Sequence, residues 1–201
     1  MSNSNHKNEP VMFLGNAVIE EGCRIGQDVT VGNFSILKKD AEIGNKTKIG
    51  QNVIIPEGVI IGKNCEIQNN VCFNSGVICE EEVFIGHGAV FTNVYFPHQH
   101  IMVNHKRAKM DTKIQQGVKI GANSTIVCGV VIGRYAFIAA GSIISNDVKP
   151  YALVSGNPAK QIGWMSEYGS KMNFHNKTRT SICSISGHSY KLDHNGVRRI
   201  S

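Results

Sequence analysis

The sequence of 201 residues has no run of about 20 consecutive apolar residues, the length a membrane helix needs. Its long charge-free stretches, such as 83–101, are interrupted by Gly, His, Asn and Pro. No transmembrane span is expected. The opening MSNSNHKNEP lacks the basic stretch and apolar core of a secretory signal, so the expected compartment is the cytoplasm. Aromatic residues are scarce, at 7% with a single Trp, and no basic stripe interleaved with stacking rings is present, so no nucleic-acid partner is expected. The six cysteines (Cys23, Cys65, Cys72, Cys79, Cys128, Cys183) form no C-x-x-C pair. Zinc-finger spacing is therefore absent, and they read as reduced, mostly buried thiols. Acids are the scarcer charge, 15 against 21 Lys and Arg. The excess of +6 sits in two places, 104–113 and 168–201, and the remainder is slightly acidic. Small anionic ligands suit that distribution better than a polyanion.

What the chain has in abundance is a period of six. From Ile19 to Phe91 every sixth residue is apolar (Ile25, Val31, Leu37, Ile43 and onward), thirteen positions in all, and the register resumes for six more from Ile114 to Ile144. Fourteen of the eighteen residues three places after these sites are Gly, Asn or Asp, types that tolerate left-handed or turn angles, so a corner is expected there. The residue four places after is always small or β-branched and never charged. Apolar and small residues thus both face inward with a turn between them. A six-residue side of this kind cannot bury itself, so successive coils must stack and pair like a parallel sheet. The expected fold is all-β, a parallel β-helix. A β-sandwich would show period two without a turn every sixth residue.

Between Phe91 and Ile114 the register fails, and Pro97 stands where the next aliphatic residue would fall. The expected organisation is a polar segment 1–18, a β-helix over 19–149 with an inserted loop 94–113, and an extension 150–201. A loop of that length on a compact solenoid reads as a binding loop. In the extension, Ala159 to Tyr168 reads as a short helix and residues 170–201 as a weakly ordered tail or small hairpin.

Hexapeptide repeats of this kind resemble the left-handed parallel β-helix, whose triangular cross-section takes three hexads per coil. Nineteen hexads then imply about six coils. Within that class, the segments Val90-Phe91-Thr92-Asn93-Val94-Tyr95, Gly121-Ala122-Asn123 with Thr125-Ile126-Val127-Cys128-Gly129, and Gly156-Asn157-Pro158-Ala159-Lys160-Gln161-Ile162-Gly163-Trp164-Met165-Ser166-Glu167-Tyr168-Gly169 resemble bacterial sugar-nucleotide N-acetyltransferases. The subgroup they are similar to acts on the 3-amino group of UDP-2-acetamido-3-amino-2,3-dideoxy-glucuronate in surface-polysaccharide (lipopolysaccharide) biosynthesis. Lys160 stands where relatives usually carry Arg.

The resemblance implies acetyl-CoA as acyl donor, a nucleotide-sugar substrate, and a homotrimer with active sites between neighbouring prisms. It places Asn93 near the reacting amine. An amide is not a base at pH 7, so Asn93 would orient or polarise, with the departing thiolate as one proton acceptor. If a side-chain base exists, the candidates are His87 and His98, because imidazole titrates near neutrality. With eighteen residues per coil, Ala122 and Ala140 stack, and with Gly141 and Ser142 they form an edge that coenzyme A can approach. Lys160, and less directly Lys149, would meet its phosphates. Asn74, Lys106 and Arg107 are the candidates for the sugar nucleotide.

Two rivals share the repeat. A gamma carbonic anhydrase-like enzyme would take zinc on histidines, and His100 and His105 are five apart. In that class, however, the ligands sit on regular coils, so no metal is expected. A purely structural trimer would not need the charged insertion. Within acetyl transfer, the alternative substrate is a dTDP-3-amino-6-deoxyhexose or another amino sugar.

Overall fold

In the computed structural model, residues 12–13, 15–93 and 111–201 are described. Most hexads give a two-residue strand, and strands three hexads apart pair in parallel, which makes three sheets running along a prism. The first face stacks Met12–Phe13, Thr30–Val31, Lys48–Ile49, Glu66–Ile67, Phe84–Ile85, Lys119–Ile120, Phe137–Ile138 and Ala152–Gly156. The second runs from Val18–Ile19 through Val90–Phe91 to Ile143–Ile144, with Cys72 bridging its two halves. The third runs from Arg24–Ile25 through Val77–Cys79 and Thr112–Ile114 to Val131–Ile132. Eight parallel strands on the first face make about seven coils rather than six. The ladder begins already at Met12–Phe13, inside the segment 1–18 that the repeat count left outside.

The aliphatic site of each hexad points inward: Leu37, Ile55, Ile85, Phe91, Ile114, Ile120 and Ile126 are all fully buried. Phe73 and Phe91 stack one coil apart with ring centroids 4.9 Å from each other. Small inward residues fill the corners. Where they are polar, the hydroxyl is used: Thr47 Oγ1 donates to the Gly62 carbonyl at 2.7 Å and accepts the Cys65 amide at 3.1 Å. The corner residue is left-handed whatever its type. Phe34, Lys46, Glu82 and Tyr135, the four that are not Gly, Asn or Asp, have φ of 61°, 60°, 61° and 57°. The stacked coil imposes the conformation, and Gly, Asn and Asp only lower its cost. Asp147 is not among the positive-φ corners. There the coil closes two residues early, since Phe137 pairs with Leu153 instead of a residue eighteen places on.

The insertion is measured by the ladder. Ile61 pairs with Cys79, eighteen residues on, but Cys79 pairs with Ile114 and Phe91 with Ile126, each thirty-five on. Seventeen residues are thus inserted into the repeat between a strand of the second face and the next strand of the third.

The expected helix over 159–168 is corrected. Ala159–Trp164 is a strand, antiparallel to Ala152–Gly156. The last strand of the first face would otherwise present an unpaired edge, and this segment satisfies it. Among the described residues there is no helix, and none long and apolar enough to cross a membrane. The tail is more than a hairpin: Thr180–Ile182, Ser189–Asp193 and Gly196–Arg199 form an antiparallel sheet. Its small core is Met172, Cys183, Tyr190 and Val197, with Tyr151 and Trp164 packed against it. All six cysteines are free, four of them buried.

Candidate active site

The edge between first and second faces is a straight stack. The corner residues Asn33, Gln51, Asn69, His87, Ala122 and Ala140 follow one another up the prism, and from Gln51 onward the amide after each donates to the carbonyl beneath, as Asn123 N–H does to His87 O at 2.8 Å and Gly141 N–H to Ala122 O at 2.8 Å. Two glycines set the spacing. A Cβ on Gly86 would stand 2.6 Å from Ala122 N, and one on Gly121 would stand 2.4 Å from Ala140 N. The side chains shrink from the exposed imidazole of His87 to the methyls of Ala122 and Ala140, which leaves a step above the histidine. Gly141 is exposed at φ 70° with open space where a side chain would be.

Ser142 does not face that step. It is buried, its hydroxyl donating to Ala139 O at 2.6 Å and accepting the Gly156 amide at 3.3 Å. This corrects its reading as a coenzyme contact: it fastens the tip of the 152–164 hairpin to the corner. Lys160 lies on that hairpin opposite Ser155, exposed. The residue thus lies beside the hairpin tip, Gly156, that Ser142 holds at this corner. Exposed Lys149 lines a cavity of about 150 Å³ between the last coil and the hairpin, with Asn146, Asp147 and Gln161.

Asn93 occupies the same hexad position as His87 but at the next corner, between second and third faces, exposed at the root of the insertion. His87 and Asn93 are therefore separated by the strand Val90–Phe91, and the single chain does not bring them together. Asn74 lies one coil below Asn93's corner, half-buried, with Nδ2 donating to Phe91 O at 2.6 Å. Its amide is committed to the backbone. His98, Lys106 and Arg107, like His100 and His105, lie outside the described residues.

Burial pushes the Cys65 and Cys79 thiols up, which favours the thiol over the nucleophilic thiolate. Burial lowers the Lys119 ammonium on the first face, where Nζ donates to Glu82 O at 3.0 Å. Among the described residues no three His, Cys, Asp or Glu side chains converge to hold a metal. Thr92 and Thr112, which flank the insertion, escaped sequence reasoning. Their hydroxyls accept the amides of Cys128 and Gly129, both at 3.1 Å. The available signal was a hydroxyl residue close to each end of the register break.

The profile of the bacterial transferase hexapeptide family (six repeats) matches residues 40–75 and 111–146. The chain is 46% identical over 63 residues to a dTDP-3-amino-3,6-dideoxy-alpha-D-galactopyranose 3-N-acetyltransferase of Aneurinibacillus thermoaerophilus, a match covering 31% of this chain and 33% of that protein. It is 48% identical over 54 residues to a 2,3,4,5-tetrahydropyridine-2,6-dicarboxylate N-acetyltransferase of Staphylococcus aureus, covering 27% of this chain and 23% of that one. The matched segments thus span a third or less of these relatives. A UDP-N-acetylglucosamine acyltransferase from Bacteroides fragilis superimposes with TM-score 0.65 at 21% identity, covering 78% of this chain and 62% of that one, a likeness of fold.

Proposed function

We propose that the chain, whose residues 40–75 and 111–146 match the bacterial transferase hexapeptide profile, is an acetyl-CoA-dependent N-acetyltransferase acting on the amino group of a nucleotide-linked amino sugar in the cytoplasm. The observation that carries this reading is the 46% identity over 63 residues to an enzyme named for 3-N-acetylation of a dTDP-linked 3-amino sugar. The edge geometry supports it. Ala122, Ala140 and Gly141 offer a thin, open wall along which the pantetheine arm of coenzyme A can reach backbone groups. Lys160 stands at its end for phosphate, as a point charge rather than the planar fork of Arg.

In the reaction the amine nitrogen attacks the thioester carbonyl, the C–N bond forms, the C–S bond breaks and the thiolate leaves. The proton lost by nitrogen passes to that thiolate or to a base. The Asn93 amide is suited to orient the amine or polarise the carbonyl, and His87 to accept the proton, with His98 the other candidate. Because His87 and Asn93 stand on opposite edges of the second face, a neighbouring copy would supply whichever group is missing from each site. That is the chemical reason to propose a homotrimer with shared sites.

For the sugar, the Gly156–Gly169 segment supports UDP-2-acetamido-3-amino-2,3-dideoxy-glucuronate, and the 46% identical relative supports a dTDP-3-amino-6-deoxyhexose. Thiol release from acetyl-CoA with the two substrates side by side tests both. Faster turnover of the uronate supports the first, faster turnover of the deoxyhexose the second, and no thiol release with either amine overturns the activity.

A further inference from the structure

At most corners of the prism the left-handed residue donates its amide to the carbonyl of the preceding corner residue one coil below; on the edge between second and third faces Gly58 does so to Lys39 O, while Asp40 and Gly76 do not. Asn123 N–H to His87 O, Gly141 N–H to Ala122 O and Tyr135 N–H to Gln116 O, at 2.8, 2.8 and 2.9 Å, are examples. At the corner where the insertion leaves, the residue in the left-handed position is Gly129 (φ 85°), and the equivalent partner one coil below would be the carbonyl of Asn93. Instead Gly129 N–H donates to Thr112 Oγ1, and the neighbouring Cys128 N–H donates to Thr92 Oγ1. Thr92 immediately precedes Asn93, and Thr112 is the first residue of the strand on which the chain re-enters the prism.

A third substitution lies one coil lower. On the second face the amide after the aliphatic residue donates to the aliphatic carbonyl of the next coil, as Glu20 does to Leu37, Lys38 to Ile55 and Thr92 to Ile126, Pro56 having no N–H to give. The corresponding donor to Phe91 O would be the Asn74 backbone amide, but the donor there is Asn74 Nδ2, at 2.6 Å. Three side chains, from Asn74, Thr92 and Thr112, therefore take over backbone bonds around one residue, the candidate catalytic amide Asn93. Buried hydroxyls elsewhere, at Ser35 and Thr47, also replace backbone partners, but they sit in uninterrupted coils far from the insertion.

We infer that Asn74, Thr92 and Thr112 are positioning residues, which pin both ends of the inserted segment to the coils above and below and so fix Asn93 against the amine. The inference rests on the proposed acetyl transfer. It also reassigns Asn74, from contact with the sugar nucleotide to support of the backbone.

The test compares T112V, T92V and N74D with T47V in the full-length protein. T112V and T47V each delete a buried hydroxyl that accepts a backbone amide, so both are expected to lower the melting temperature. Only T112V, T92V and N74D are expected to reduce kcat, on the order of tenfold from misplacement of the reacting groups, with KM for acetyl-CoA and for the sugar unchanged. T112S restores kcat because it restores the acceptor. Hydrogen exchange gives a readout free of catalysis: the amide of Gly129 exchanges faster in T112V and that of Cys128 in T92V, with both unchanged in T47V.

Equal kcat in T112V, T92V, N74D and T47V, with the wild type active, overturns the positioning role. A raised sugar KM in N74D at unchanged kcat returns Asn74 to the substrate. A wild-type chain that acetylates neither amino sugar overturns the activity, and with it the catalytic half of the inference, while the exchange rates still decide whether the two hydroxyls hold the base of the insertion.

Discussion

The edge carrying His87 and the edge carrying Asn93 are built from the same hexad, yet they are held in different ways. Along the first, backbone bonds backbone from coil to coil, and glycine at Gly86 and Gly121 permits the approach. Along the second, only Gly58 N–H makes the equivalent bond below the insertion, to Lys39 O, and at the seventeen-residue insertion the side chains of Asn74, Thr92 and Thr112 supply bonds to the backbone. A repeat tolerates an insertion where local side chains can bond the main-chain groups beside it. The third edge differs again. Tyr135 at its corner stacks on Tyr151, ring centroids 5.3 Å apart, and Tyr151 meets Tyr190 of the C-terminal sheet at 5.7 Å. That edge anchors the small sheet rather than a reaction.

Breaking the unbroken edge is expected to be the costliest change. Gly121→Val places a side chain on Ala140 backbone, which has no freedom to yield, and is expected to destabilise the prism by about 3 kcal/mol, measured as a fall in denaturation midpoint. At the interrupted edge, Asn93→Ala is expected to leave the midpoint unchanged and lower kcat on the order of 100-fold. An unchanged kcat would remove Asn93 from the reaction. His87→Gln separates the two edges chemically: with His87 as base, kcat falls on the order of 100-fold. An unchanged kcat would move the proton to the thiolate or to His98.

The anchoring edge is expected to weaken in alkali. Burial raises the phenols of Tyr151, Tyr190 and Tyr135, and at Tyr151 the hydrogen bond to the Glu167 carboxylate (3.0 Å) adds to the effect. The folded state therefore holds protons that the unfolded chain releases near pH 10, so this stabilisation is complete below pH 10 and is lost as pH rises further. Near-ultraviolet circular dichroism across that range follows it. The smallest effect is expected from Tyr151→Phe, which keeps the ring stack and loses the bond to Glu167. It is expected to cost about 1 kcal/mol and to flatten the alkaline dependence.

The lesson for reading the chain differs from region to region. The aliphatic sites from Leu37 to Ile144 and the inward small residues were legible because a coil constrains every sixth side chain identically. Phe34, Lys46, Glu82 and Tyr135 were not marked as corners by type, yet the period alone places them there. The strand 159–164 was misread as a helix because its pairing partner is the open end of the first face, a tertiary feature without a local signal. The C-terminal sheet was illegible for the same reason: its four-residue core closes only when Tyr151 and Trp164 cover it.

Of the candidate site, stacking of Ala122 on Ala140 followed from eighteen residues per coil, and the structure adds His87 beneath them. That Ser142 turns inward, and that Asn74 donates to Phe91, depended on where the hairpin and the insertion leave the ladder. The sequence by itself determined the prism, because burial at a fixed period has one stacked solution. Only the tertiary structure decided which polar side chains are free for chemistry and which are bound to backbone, because that depends on which main-chain groups are left without a partner where the repeat is interrupted.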